Sequence, residues 1–259
     1  MRTWERGSGL THACGTGACA VVAVTHPRGA PGPAARVPLM VGWNSAEMDY
    51  RMLLGNRQPT PRNYAAAVRG LYGEAAGDVL RLYPGATAAQ VRQSATDLAS
   101  DRFIVYSAWK WADDQRAAGA PLYRYLYAHP RPSMTPEMAG ALSGLAGGII
   151  DAAQAHAAIA LPPPAEGAVH SADIEYALGN LDTNHVYAWT AEDAQVSALM
   201  QSYYANFITT GDPNGPGLPA WPRSDGGPEM QYLVWDVAPR VEAERHRERY
   251  ELLDRFYRS

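Results

Sequence analysis

The sequence predicts a helix-rich α/β fold of which only a few strands are present. Three short apolar runs, VPLMVGWN (37–44), LYRYLYAH (122–129) and MQYLVWDV (230–237), have the length and texture of buried strands. Longer stretches with helical spacing of apolar residues separate them, most clearly over residues 191–209. Helices outnumber strands, yet the strands are the buried kind, and that combination belongs to the α/β class.

Taken in order, residues 1–26 carry a glycine-rich loop running into ACAVVAV, where a short helix is expected to begin. HPRGAPGPAAR (26–36) is a linker or seam by its Pro, Gly and Ala content. After the first strand, Asn44 stands three residues before Glu47, the spacing of an N-cap and its capping-box partner, so a helix is expected to open there. Further helices are expected at roughly 60–70, 74–82, 87–98 and 101–117, the last ended by Gly119 and Pro121. Residues 133–161 read as a helical excursion of small residues, closed by Pro162–Pro164. In the 191–209 helix Thr190 is the N-cap and Asp193 lies in the first turn. Val196, Leu199, Met200, Tyr203, Tyr204, Phe207 and Ile208 form one apolar stripe. Gly211 and Asp212-Pro213 stop it, and residues 241–257 form a charged amphipathic terminal helix.

Composition narrows the function classes. A hydrophobic fraction of 47% with 19% charged residues is that of an ordinary globular protein. The net charge of −4, with no basic stripe, argues against a nucleic-acid partner. The 7 Trp and 15 Tyr against 3 Phe suit half-buried rings in a core or an aromatic pocket. The stretch Ala139–Leu161 is dominated by Ala and Gly and carries Asp151, Gln154 and His156, so no membrane span is expected. The first residues show no secretory signal, and a cytoplasmic location is the default expectation. The histidines have no ligand spacing; neither a metal nor another cofactor is expected.

Two constellations carry chemistry. In the first, Cys14 lies in ACGTG, where the N–H groups of Gly15, Thr16 and Gly17 can converge on an anion and lower a thiol pKa. An inert cysteine in a tight turn fits the same residues. In the second, Glu47 follows a strand and His170 sits in the loop before SADIEYALGN. Taken singly, a glutamate there is usually a cap or a solvated charge, and a lone loop histidine, one of seven, is usually unremarkable.

Glu5-Arg6-Gly7, Gly9, Thr11 and Ala13-Cys14-Gly15-Thr16-Gly17 resemble the C-terminal active-site segment of diaminopimelate epimerases. That resemblance implies an acid/base role for Cys14, substrate contacts from Glu5 and Arg6, and a carboxylate held by the Gly15 and Thr16 amides. Proton removal and return across a carbon needs a second group on the opposite face. The other cysteine, Cys19, is five residues away on the same segment, so this chain alone is not expected to be an epimerase.

From about residue 34 onward the chain resembles the C-terminal half of the type-B carboxylesterases. VPLMVGWNSAEMDY is similar to the segment in which a strand delivers the catalytic acid, and GAVHSADIEYALGNL to the histidine segment. DRFIVYSAWKWADDQ, APLYRYLY and SALMQSYYANFITTGDPNGPGLPAWP add the family's texture in the family's order. The resemblance implies an incomplete α/β-hydrolase fold, a small-molecule ester substrate, Glu47 as the triad acid and His170 as its base. Ala46 and Met48 replace the Asp and Gly usual beside the acid.

The nucleophile is what fails. An exposed serine needs the elbow Gly-x-Ser-x-Gly. Ser8 is flanked at that spacing by Arg6 and Leu10, Ser143 by Ala141 and Leu145, and Ser224 by Pro222 and Gly226; no serine fits. Three segments are therefore expected: an epimerase-like piece (1–26), a linker or fusion seam (27–36), and the C-terminal part of a carboxylesterase domain (37–259). A separate N-terminal esterase half is an expected partner. Open strand edges and an uncovered apolar sheet face are expected to make the isolated chain marginally stable or self-associating.

Overall fold

The computed structural model describes residues 37–136, 167–225 and 229–258, together with the backbone of five short strands elsewhere. In chain order these elements are β1 (Thr3–Glu5), β2 (Gly9–Thr11), β3 (Val21–Val22), β4 (Leu39–Asn44), α1 (Arg51–Leu54), α2 (Pro61–Tyr72), α3 (Ala76–Leu82), α4 (Ala88–Ser100), α5 (Tyr106–Ala117) and β5 (Leu122–Tyr127). They continue as β6 (Leu142–Ser143), β7 (Ile149–Ile150), α6 (Ile174–Leu178), α7 (Ala191–Thr210), β8 (Gln231–Trp235), β9 (Arg240–Ala243) and α8 (Arg247–Arg258).

All three predicted apolar runs are strands. β4, β5 and β8 lie side by side and parallel in a mixed sheet of order β3-β4-β5-β8-β9, with β3 and β9 antiparallel at its edges. Every residue of β4 is buried, as the continuous apolar run requires of a strand covered on both faces. On one face Met40, Tyr125, Leu233 and Trp235 pack against Val196, Met200 and Phe207 of α7. On the other, Leu39, Val41, Trp43 and Leu122 pack against Val105, Trp109 and Tyr250. A third cluster joins α1–α4 to Leu252 and Leu253 of α8.

The abundance of Trp and Tyr resolves into core rather than surface. Tyr125 stacks on Trp235 at 4.5 Å, and Trp221 meets both Tyr203 and Trp235 edge-on. The Trp221 indole N–H donates to the Arg124 carbonyl at 2.9 Å, which satisfies the ring's one polar atom at full burial. Gly42 is required by close approach: a Cβ there would lie 2.3 Å from the Tyr125 carbonyl oxygen. Gly42→Ala is expected to destabilise the fold by about 3 kcal/mol, the upper end of overpacking, because backbone rather than a flexible side chain stands in the way. A urea midpoint unchanged from the parent chain would contradict this.

Several local expectations give way to the packing. β3 is strand where a helix start is expected, since the β-branched Val21–Val22 pair extends along Leu39 and Met40. Over 133–161 the described pieces are not helix: β6 and β7 pair antiparallel, and Met134 bridges to Tyr187. The remainder of that stretch lies outside the described residues. The terminal helix begins only at Arg247, because Arg240–Ala243 extends β8 by an antiparallel pairing. The helix over 101–117 opens with a π-helical stretch, Asp101–Val105, before α5. Ile208 ends the α7 stripe exposed, whereas Thr190 and Asp193 form the full capping box and Gly211 the left-handed stop.

Nor is an apolar sheet face left uncovered, for helices pack on both. What is left is an edge. Among the described residues only β3 pairs along the outer side of β4, at Met40 and Leu39, so Gly42–Asn44 carries no neighbouring strand there. The opposite edge, β9, is short and bears Arg240 and Glu242, charges that discourage further pairing. Among the described residues no helix is long and apolar enough to cross a membrane.

Candidate active site

β4 ends at Asn44, and the chain turns at once instead of entering a helix. Glu47 reaches back as a capping-box acid would: its Oε1 accepts the Asn44 N–H at 2.7 Å. No helix begins there, because α1 starts at Arg51. The Asn44 N–H faces the outer edge of β4, since Leu39 and Ser45 on the alternate register donate to Pro121 and Tyr127 on the β5 side. Glu47 thus satisfies an edge donor that has no strand to receive it.

The loop carrying His170 docks on the same end. Ala46 N–H donates to the Ala168 carbonyl at 2.9 Å, Ala168 N–H to Ser45 Oγ at 3.0 Å, and Asn44 Nδ2 to the Val169 carbonyl at 2.8 Å. A side chain at Gly167 would strike Ser45 Oγ at 2.8 Å, so a glycine is needed for this approach. Ser171 follows in the left-handed region (φ 64°) and turns the chain sharply behind the histidine. Its carbonyl accepts from Arg131 Nη2 at 2.7 Å, and the same nitrogen binds Glu175 at 2.6 Å.

These contacts bring together two residues 123 positions apart. His170 Nδ1 lies 2.6 Å from Glu47 Oε2, with both side chains almost wholly buried. With Glu47 ionised, Nδ1 carries the hydrogen and donates it. The opposite nitrogen, Nε2, is then the one able to take or give a proton. The edge of the ring meets Phe103 at 4.9 Å. A buried carboxylate held at this distance fixes the imidazole's tautomer and orientation.

Two groups beside the pair escaped the sequence reading. Asn44 Nδ2 also donates to Asp173 Oδ1 at 3.0 Å, so one side chain ties the strand end, the histidine loop and a second carboxyl together. Burial pushes Asp173 up to about 6, against the hydrogen bond from Asn44, and the nearby Glu47 charge adds to the rise. The available signal was the acidic turn three residues after His170; Asn44 was readable only as a cap.

A second histidine–carboxylate contact, His129 Nε2 to Asp193 Oδ1 at 2.8 Å, has a different setting. Asp193 also accepts from Tyr176 and serves the capping box with Thr190, so this histidine clamps the start of α7 to the end of β5. Cys14, Arg6, Gly15 and Thr16 lie outside the described residues, and Glu5 is described only as backbone in β1, paired with Gly9. Among the described residues no group of three or more His, Cys, Asp or Glu side chains is arranged to hold a metal ion.

The family model of the carboxylesterases matches residues 33–253. The chain belongs to the carboxylesterase family. Its sheet, helix-covered on both faces, accords with part of the α/β-hydrolase architecture that membership implies. Carboxylesterase 5A of Canis lupus familiaris is 34% identical over 152 residues, covering 57% of this chain and 22% of that protein. An acylcarnitine hydrolase of Mus musculus is 28% identical over 207 residues, 79% of this chain and 32% of that protein. The cocaine esterase of Homo sapiens is 37% identical over 79 residues, 30% of this chain and 14% of that protein. The chain thus spans a third or less of the length of these carboxylesterase-family relatives.

Proposed function

We propose that this chain is the acid–histidine part of a serine carboxylic-ester hydrolase, inactive unless a nucleophilic serine is supplied from outside these 259 residues. The observation that carries the reading is the buried 2.6 Å contact between Glu47 and His170 at the carboxyl end of a parallel strand. In this role His170 Nε2 removes the proton of a serine hydroxyl as it attacks an ester carbonyl, then passes it to the leaving alkoxide. Glu47 holds Nδ1–H and offsets the positive charge that develops on the ring. Asn44 positions both partners through its backbone N–H and its side chain.

Family membership supports ester hydrolysis as the ancestral chemistry. The absence of a Gly-x-Ser-x-Gly elbow from the sequence argues that the pair cannot work by itself. In this reading a separate N-terminal half docks along the outer edge of β4 beyond Met40, where no strand pairs among the described residues. The family match begins at residue 33, which fits a seam within 27–36; a foreign, epimerase-like origin for residues 1–26 rests on the resemblance of their motif alone. In that foreign piece Cys14 would keep an acid/base side chain but lack an opposed partner.

Hydrolysis of p-nitrophenyl butyrate by the purified chain tests the reading. The rate is expected to equal that of His170→Ala and Glu47→Ala. Turnover abolished by either substitution would mean that a nucleophile is present in this chain, and the proposal would fall.

A further inference from the structure

A cavity of about 480 Å³ opens on the sheet face covered by α4, α5 and α8, at the carboxyl ends of β4, β5 and β8. Neither Glu47 nor His170 lines it. Its volume lies within the range of small-molecule sites, and the crevice beyond the carboxyl ends of parallel strands is where open α/β sheets bind ligands.

Two departures from regular structure and one buried carboxyl converge on its wall. The π-helical stretch Asp101–Val105 contributes both of its end residues. Such insertions are frequent at functional sites. His246 holds a left-handed backbone (φ 65°), a conformation uncommon in residues with a side chain. The buried Asp101 carboxyl accepts the Tyr83 hydroxyl at 2.7 Å and is pushed up to about 7 by its removal from water.

Charge and shape then select the ligand. Arg240, Arg245 and Arg249 line the cavity against the carboxylates of Glu242 and Asp97. Arg249 is taken up by Asp97 at 2.8 Å and by the Tyr83 ring at 4.5 Å. Arg240 and Arg245 share the single Glu242 carboxylate, each at 2.8 Å, and both are more than half exposed at the mouth. Asp236 stands off at 3.8 Å from Arg240. A guanidinium presents five donors, so each of these two keeps N–H groups for an incoming anion. Trp43, Leu126, Val234 and Tyr250 supply the apolar part of the lining.

We propose that this cavity binds a small organic carboxylate, its carboxylate bridging Arg240 and Arg245 and its apolar body lying on Trp43, Leu126 and Tyr250. The inference does not depend on the ester-hydrolase reading.

Calorimetric titration of the full chain with sodium benzoate tests it, with benzamide and acetate as probes lacking the charge or the apolar body. Saturable binding of benzoate is expected, at least tenfold tighter than either. The exposed pair Arg240→Gln/Arg245→Gln should weaken benzoate at least tenfold. Leu126→Trp, which fills the apolar part of the lining and leaves the charges in place, should abolish binding. No saturable benzoate binding, equal affinity for benzamide, or undiminished affinity in the double variant or in Leu126→Trp would each overturn the proposal.

Discussion

Glu47→Ala is expected to destabilise the fold by roughly 3–5 kcal/mol, because two buried donors each lose a charged acceptor at about 1.5–3 kcal/mol apiece. Two groups lose their acceptor at once: the Asn44 N–H at the sheet edge and the Nδ1–H of a buried histidine. Glu47→Gln keeps one acceptor oxygen and should lose less than half as much. Urea unfolding of the two variants checks this; equal midpoints for Glu47→Ala and the parent chain would mean that the pair contributes nothing to the fold.

Asp101→Asn should change how stability depends on pH. Burial carries this carboxyl from its ordinary 3.8 to about 7. Between those values the folded state holds a proton that the unfolded chain has released. Its stabilising contribution is therefore full below about 4 and is lost as pH rises through 7. The total is on the order of 4 kcal/mol. Asparagine cannot ionise and still accepts the Tyr83 hydroxyl, so the variant should match the parent near pH 4 and exceed it by a few kcal/mol at pH 8. Chemical denaturation at the two values decides it, and a parent chain whose stability gap to the variant is the same at both would contradict the assignment. Asp173, raised to about 6 by the same cause, gives the parent a smaller slope of the same sign that survives the substitution.

The parallel strands were legible because burial on both faces leaves an unbroken apolar run, as in LMVGWN of β4. α7 was legible because its cap, stripe and stop all agree. β9 was not. RVEA is charged and sits before a helical pattern, and its extended state comes from the partner strand β8. The LYRYLY run conceals a fully buried Arg124, whose ion partner Glu244 at 2.7 Å lies 120 residues on and leaves no local trace. The proposed acid–histidine pair shows both sides of the matter. Glu47 and His170 were identifiable through family texture, whereas the roles of Asn44 and Asp173 depend on contacts spanning more than a hundred residues.

In the proposed reading Glu47 and His170 form a competent acid–histidine pair waiting for a serine. The most direct measurement is ester hydrolysis by a chimera in which residues 37–258 of this chain replace the matching region of the canine carboxylesterase 5A. The chimera should turn over p-nitrophenyl butyrate, and His170→Ala within it should lower kcat by about 10³-fold or more, as loss of a triad base does. A chimera that folds and hydrolyses the ester equally well with His170→Ala would contradict the claim.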